Sequence, residues 1–231
     1  MGGYVMSISE KFEVIAEAVY EKGRQDEWSD FWDIFQNKGE RKDYNNAFRR
    51  WDCEYIRPKY KAVSTNGGRA RIFEANLKLK KVEKEYFDFS KASPTNQSTD
   101  NYFTFQHCEA LEEIEDIGLM GEYAYGNTFI NCYKLHTIEL VRSNENVVFT
   151  DTFKNCHELK NITFEGVIGK NISFSESRLL TVESLNSIID HLKDFTAAGS
   201  GSATITLHTD SKTLIGEEGL KRITNKGWEV M

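Results

Sequence analysis

The chain has 231 residues and a mass of 26.6 kDa, with 39% hydrophobic and 13% aromatic residues, enough to bury a continuous core as one or two domains and too apolar for a disordered chain. No window comes near the roughly 18 consecutive apolar residues of a membrane-spanning helix, and Met1 to Glu10 shows no basic region followed by an apolar one, so neither a membrane span nor a secretion signal is expected. The net charge of −7 is unevenly spread: residues 38–84 hold 14 Lys/Arg against 6 Asp/Glu, a local +8, so the remainder sums to −15.

In chain order, Ser7-x-x-Glu10 has the form of a capping box opening a helix. Phe12, Ile15, Ala16 and Val19 then follow the i, i+3, i+4, i+7 spacing of one helix face, and Trp28, Phe31, Trp32 and Phe35 share one side of a second segment that Gly39 ends. Residues 1–65 therefore read as a helical, aromatic-rich N-terminal segment. Asn66-Gly67-Gly68 is the clearest turn signal and a plausible boundary. Residues 66–104 form a transition in which Leu77, Leu79, Phe87 and Phe89 suggest a helix or strand pair, before the polar loop Ser93 to Thr99.

Between residues 105 and 180 one pattern recurs every 24 residues: Phe105-x-x-Cys108-x-x-Leu111-x-x-Ile114, Phe129-x-x-Cys132-x-x-Leu135-x-x-Ile138 and Phe153-x-x-Cys156-x-x-Leu159-x-x-Ile162. A fixed period of this length signals a solenoid, in which each coil buries its apolar positions against its neighbours. Ala124, Val148 and Ile172 keep the same period in the β-prone stretches 122–125, 146–149 and 171–174, while 137–140 and 161–164 supply a second stretch per coil. Two short strands per coil are expected, stacked in parallel sheets, with the Phe-x-x-Cys-x-x-Leu segment as a turn or short helix. Because Cys108, Cys132 and Cys156 share one position of successive coils, they read as buried thiols packed as small hydrophobes about 5 Å apart rather than as disulfide or metal ligands. No Cys-x-x-Cys pair exists, and Cys53 stands apart.

Phe174-x-x-Ser177-x-x-Leu180 comes 21 residues after Phe153 and replaces Cys with Ser, as an atypical terminal repeat does. Residues 181–231 read as a cap. Thr181 is an N-cap for a helix bearing Val182, Leu185, Ile188, Ile189 and Leu192; Ala203–Leu207 reads as a strand, 217–223 as a short helix and 227–230 as a last strand. The whole is an α+β fold.

The Phe-x-x-Cys-x-x-Leu-x-x-Ile register resembles the BspA-type leucine-rich repeat, with Gly121 to Ala124 and Ile138-Glu139-Leu140 similar to that family's strand segments. The flanks, Val19 to Gly23, Phe31 to Gln36, Asp43-Tyr44 with Ala47-Phe48, Pro58 to Tyr60, Leu180 to Leu185, Ile188-Ile189 and Lys226-Gly227-Trp228, resemble the ends of leucine-rich repeat proteins encoded by phages and prophages of gut Firmicutes. That resemblance implies a non-enzymatic protein made in the bacterial cytoplasm, often encoded among tail genes and incorporated into a virion. It supplies no catalytic motif and no ligand. The few regular coils argue against a long surface adhesin.

No Gly-x-Gly-x-x-Gly, phosphate-binding Gly-Lys-Ser/Thr, His-Glu-x-x-His or Gly-x-Ser-x-Gly is present. His107, His136 and His157 lie at different offsets from the repeat positions, and His191-x-x-Asp194 and the run Glu112, Glu113, Glu115, Asp116 read as solvated faces. No cofactor, metal site or catalytic set is expected. The expected function is a binding or structural module whose repeat face recognises a protein or cell-surface glycan, or docks to phage tail proteins, through Tyr123, Tyr125, Tyr133, His136, Glu139 and Lys160 between the core positions. For Tyr123 and Tyr125 packing serves as well as binding. The alternative is an intracellular effector that binds a bacterial protein or nucleic acid through residues 38–84, although no nucleic-acid-binding motif accompanies the basic residues.

Overall fold

A computed structural model describes residues 41–43, 48–51, 53–57, 61–68, 71–90, 104–119, 125–199 and 201–231. The helices expected between residues 7 and 40, the loop at 93–99 and the strand residues Glu122 to Ala124 lie outside them. The elements are β1 (Arg41–Asp43), β2 (Ala62–Gly68), β3 (Lys81–Val82), β4 (Phe87–Asp88), β5 (Glu113–Ile114), β6 (Thr137–Ser143), β7 (Asn161–Gly166), β8 (Ile172–Phe174), α1 (Val182–His191), α2 (Phe195–Ala198), β9 (Ala203–Leu207), α3 (Thr209–Asn225) and β10 (Trp228–Val230), an α+β arrangement. They form three sheets, ordered β1-β2-β4, β3-β5-β6-β7 and β10-β9-β8, and every pair is parallel.

Parallel neighbours need a dozen or more residues of crossover, and each copy of the repeat supplies one. In the four-stranded sheet Lys81, Glu113, Thr137 and Asn161 stand side by side, as do Val82, Ile114, Ile138 and Ile162; Tyr55 extends the row through an isolated bridge to Lys81. The Phe positions stack too. Phe48, Phe73, Phe105, Phe129, Phe153 and Phe174 form one column of buried rings, with successive centroids 5.6, 5.1, 5.6, 5.6 and 4.6 Å apart and planes within 20° of parallel. Each such pair contributes about 0.5–1.5 kcal/mol beyond its buried area.

The cysteines do more than fill space. Cys108 Sγ donates to the Phe73 carbonyl at 2.9 Å, Cys132 Sγ to Phe105 at 3.0 Å and Cys156 Sγ to Phe129 at 3.1 Å, each reaching one copy back. Ser177 continues the series with its hydroxyl on the Cys156 carbonyl at 3.2 Å. The Phe-to-Leu segments are successive turns, not helix. Their corners are left-handed at His107, Asn131 and Asn155 (φ 60°, 64° and 62°), a region Asn enters more readily than most residues. Across each corner backbone bonds join adjacent copies, as from Phe105 N to Thr128 O and from Phe129 N to Thr152 O.

The stack starts earlier than the sequence register indicates. Phe73-x-x-Asn76-x-x-Leu79-x-x-Val82 takes the same places, with Asn for Cys and Val for Ile, and Phe48 and Ile56 occupy them again, buried. Two features hide these copies: the polar Asn76 in the Cys position and a spacing of 32 rather than 24 residues to Phe105. Where residues up to 60 are described, they form strand β1, turns and the Tyr55 bridge rather than helix. Asn66-Gly67-Gly68 is no boundary turn either; it lies in β2, whose pairing with β1 and β4 overrides the local turn preference. Residues 146–149 make no regular strand, because Asn144 turns the chain there: its side chain accepts from Asn146 N and its carbonyl from Val147 N. Val148 is accordingly exposed and Val147 buried.

At the other end α1 closes the edge of β7. Ser184 Oγ accepts from Ile162 N and donates to Lys160 O, both at 2.9 Å, while Ser187 Oγ accepts from Phe164 N at 2.9 Å, so two hydroxyls satisfy backbone groups that a further strand would otherwise take. Thr181 caps α1 by accepting from Ser184 N, as expected. Leu185, Ile188, Ile189 and Leu192 face inward, but Val182 is exposed. Lys226 binds the C-terminal end of α1, its Nζ donating to the carbonyls of Ile189, Asp190 and Leu192 at 2.8, 2.9 and 3.0 Å. Helix α3 is longer than the expected 217–223; it begins after His208 and is broken at Gly216 (φ 60°, ψ −167°) into two pieces.

Substitutions at two places isolate the hydrogen bonds of the stack. Cys132→Val keeps a small apolar side chain but orphans the Phe105 carbonyl, an expected loss of about 1–3 kcal/mol, whereas Cys132→Ser keeps a donor and should lose less in denaturant titration. Replacing Ser184 and Ser187 together by Ala strands the amides of Ile162 and Phe164 and should cost about 2 kcal/mol or more by the same measurement.

Candidate functional site

With Phe, Cys, Leu and Ile facing inward, the residues between them form outward columns of their own. Four residues after the Phe stand Tyr133 and His157, stacked with centroids 6.2 Å apart and planes 17° apart. The stacking turns one face of each ring toward the other, so the pair presents ring edges rather than a flat platform outward. Five residues after the Phe, Lys134 Nζ meets Glu158 Oε1 at 2.8 Å. Seven after it come Glu112, His136 and Lys160, linked through the backbone: His136 N donates to Glu112 O and Lys160 N to His136 O, each at 3.0 Å. Glu158 gathers the set, because the Lys134 ammonium above all, and His136 and Lys160 at longer range, hold its carboxyl below the usual range.

The expected contact residues thus divide. Tyr133 stacks on His157, next in sequence to Glu158, whose carboxyl feels His136 and Lys160 at longer range, and His136 also bonds through Nδ1 to Thr137 Oγ1 at 3.0 Å. Glu139 lies apart on the outer face of β6, where its Oε2 accepts from Asp116 N at 2.9 Å. Tyr125 is no contact residue: its ring is fully buried and stacked on Phe149 at 5.4 Å, and its hydroxyl lies within bonding distance of the carbonyls of Leu119 and Arg142. Of its two readings packing holds, because the ring is buried and the hydroxyl is taken by the Leu119 and Arg142 carbonyls. Tyr123 lies outside the described residues.

The outer face of the four-stranded sheet is a lattice of ion pairs. Lys81 Nζ lies 3.2 Å from Glu113 and 2.7 Å from Glu115. Arg142 clasps Asp116 through two nitrogens at 2.6 and 3.1 Å and reaches Glu165 at 3.3 Å. The basic stretch joins the same lattice: Arg57 is bidentate on Glu83, Lys80 pairs with Glu54, and Arg49 and Arg71 both meet Glu74. Glu54, Glu74 and Glu83 lie within residues 38–84 and are already counted in its local +8, so these pairs fix the positions of the cations without lowering the net charge of the segment, whereas Lys81 pairs with carboxylates outside it.

Sequence reasoning missed a ladder at the turn corners. Asn155 Nδ2 donates to Asn131 Oδ1 at 2.5 Å, Asn131 Nδ2 meets His107 Nδ1 at 3.0 Å, and the Glu176 carboxylate accepts from Asn155 N at the end of the row. The recurrence of Asn131 and Asn155 at the repeat period was the signal. His191 and Asp194 serve the backbone: His191 Nδ1 lies 2.7 Å from Ser187 O, and Asp194 caps α2 by accepting from Thr196 N and Ala197 N. Among the described residues no group of three or more His, Cys, Asp or Glu is placed to hold a metal ion, and no helix is long and apolar enough to cross a membrane.

The Arg142 guanidinium holds the Asp116 carboxyl below its ordinary value, with the Gly118 amide adding to the effect and burial opposing it. A depressed carboxyl contributes stability above its unfolded pKa, near 4, and loses it as pH falls through the folded value. Acid titration of Asp116→Asn should therefore show a flatter loss of stability below about pH 4, and a deficit of up to about 1 kcal/mol at pH 7, the scale of a partly exposed pair. Comparison of the chain with known protein families, with curated proteins and with solved structures returns no match.

Proposed function

We propose that the chain is a non-enzymatic recognition or structural module: a short leucine-rich repeat solenoid of the BspA type, phage-encoded and associated with a tail or virion, that meets a protein or cell-surface glycan through its outward columns. The observation that supports this reading most is the alignment of every copy in one register, Thr137 beside Asn161 and Tyr133 over His157, which turns isolated polar residues into continuous rows on a rigid surface. Tyr133 on His157, with His136 and Lys160 within electrostatic range of Glu158, offers aromatic edges, an imidazole and an exposed ammonium on the same run of turns. Such a patch suits hydrogen bonding to hydroxyls or carboxylates rather than flat stacking. The intracellular reading through residues 38–84 is the weaker one, because no nucleic-acid-binding motif accompanies the basic residues, and Arg49, Arg57, Arg71, Lys80 and Lys81 are each held by a carboxylate of the chain.

Incubation of the purified, tagged protein with intact cells and with lysates of several gut Firmicutes tests the reading. Retention on intact cells of some strains, reduced about thirtyfold by Tyr133→Ala with Lys160→Ala, is the expected result, since two contacts worth about 1 kcal/mol each together shift affinity by that factor. Capture from lysate alone, weakening steeply with salt, would instead favour the intracellular reading.

A further inference from the structure

Three of the four cysteines are closed to solvent, and the fourth is not. Cys108, Cys132 and Cys156 are fully buried, and burial drives their thiols well above the ordinary range. Buried, protonated thiols are inert. Cys53 is only half-buried, packed at the edge of the core.

Beside it is Asn76, which takes the cysteine place in its copy and is itself fully buried. Asn76 Nδ2 is directed at Cys53 Sγ, 3.8 Å away. Its other amide atom, Oδ1, is buried with no hydrogen-bond partner. A buried acceptor without a donor is costly and calls for an explanation. None of the packing requires an amide here, since the equivalent positions carry Cys or Ser that donate to a carbonyl. An amide supplies what those residues do not: a donor for a negatively charged sulfur and, on the same group, an acceptor left vacant for a hydroxyl.

We propose that Cys53 is a site of reversible oxidation by hydroperoxides, with Asn76 holding the thiolate through Nδ2 and receiving the sulfenic O–H on Oδ1. The thiolate sulfur attacks one oxygen of hydrogen peroxide; the S–O bond forms as the O–O bond breaks, and the departing hydroxide takes up the proton that the thiol released. Sulfur is oxidised by two electrons to the sulfenic acid and the peroxide is reduced to water. A small thiol reductant returns the thiol in two steps: one equivalent displaces water to form a mixed disulfide, and a second releases Cys53. Cys108 stands two copies along the stack, about 10 Å away at the strand spacing, beyond the reach of a disulfide, so the sulfenic acid persists long enough to be trapped.

Treatment of the native chain with hydrogen peroxide in the presence of dimedone, followed by peptide mass mapping, tests the proposal. The adduct should appear on Cys53 and be at least about tenfold weaker on Cys108, Cys132 and Cys156. Asn76→Leu should slow adduct formation at Cys53 by about tenfold, the effect of one lost hydrogen bond to a charged sulfur. Asn76→Ser, with circular dichroism to confirm folding, guards against a variant that merely unfolds, and its rate should fall between the two. No adduct on Cys53, or adducts spread evenly over the four cysteines, overturns the site; oxidation of both folded variants at the native rate overturns the role of Asn76.

Discussion

The structure depends on one constraint: successive parallel strands in register, each copy's backbone bonded to the next. In a parallel sheet a slip of one residue would turn every inward side chain outward, so the register of Lys81, Glu113, Thr137 and Asn161 also decides that Val82, Ile114, Ile138 and Ile162 meet in the core. The Phe column reinforces the same register from the opposite side of each copy. The thiols then lock it, because a donor in the Cys position can reach the carbonyl one copy back only when the copies are aligned.

A stack of this kind has two ends, and the described C-terminal end shows how growth is stopped. Hydroxyls of Ser184 and Ser187 occupy the amides of β7, and a separate sheet, β10-β9-β8, pairs β8 of the last copy with strands from the C-terminal segment. The Lys226 ammonium on the carbonyls of α1 and the Trp228 indole on Lys193 O tie this cap into one piece. A short chain gains from such closure twice: the edge is satisfied, and the apolar face of α1 covers the last copy.

Alignment also orders the surface. Residues scattered in sequence, such as Tyr133 and His157 or Asn131 and Asn155, become neighbours because they share a place in the repeat. Charge behaves likewise. Cations and carboxylates distant in sequence, such as Lys80 and Glu54 or Lys81 and Glu113, become pairs on the folded surface, and Cys53 beside the Asn76 amide, whose Oδ1 has no partner, stands out as a place that packing alone does not explain.

The sequence by itself determined the period and the inward residues, because a position that must be apolar in every copy recurs visibly: Phe105, Cys108, Leu111 and Ile114 and their successors are all buried as read. It also determined the α1 face and strand β9, whose caps and alternation are local signals. Tertiary structure alone decided the rest. The copies at Phe48 and Phe73 were hidden because Asn76 and an irregular spacing break the pattern while stacked rings and backbone bonds preserve the geometry. Asn66-Gly67-Gly68 became strand because its partners β1 and β4 lie distant in sequence. Tyr125 turned inward because two carbonyls and Phe149 await it there. Periodicity reports which face of a copy is buried; which polar groups meet across copies depends on distances that only the assembled stack defines.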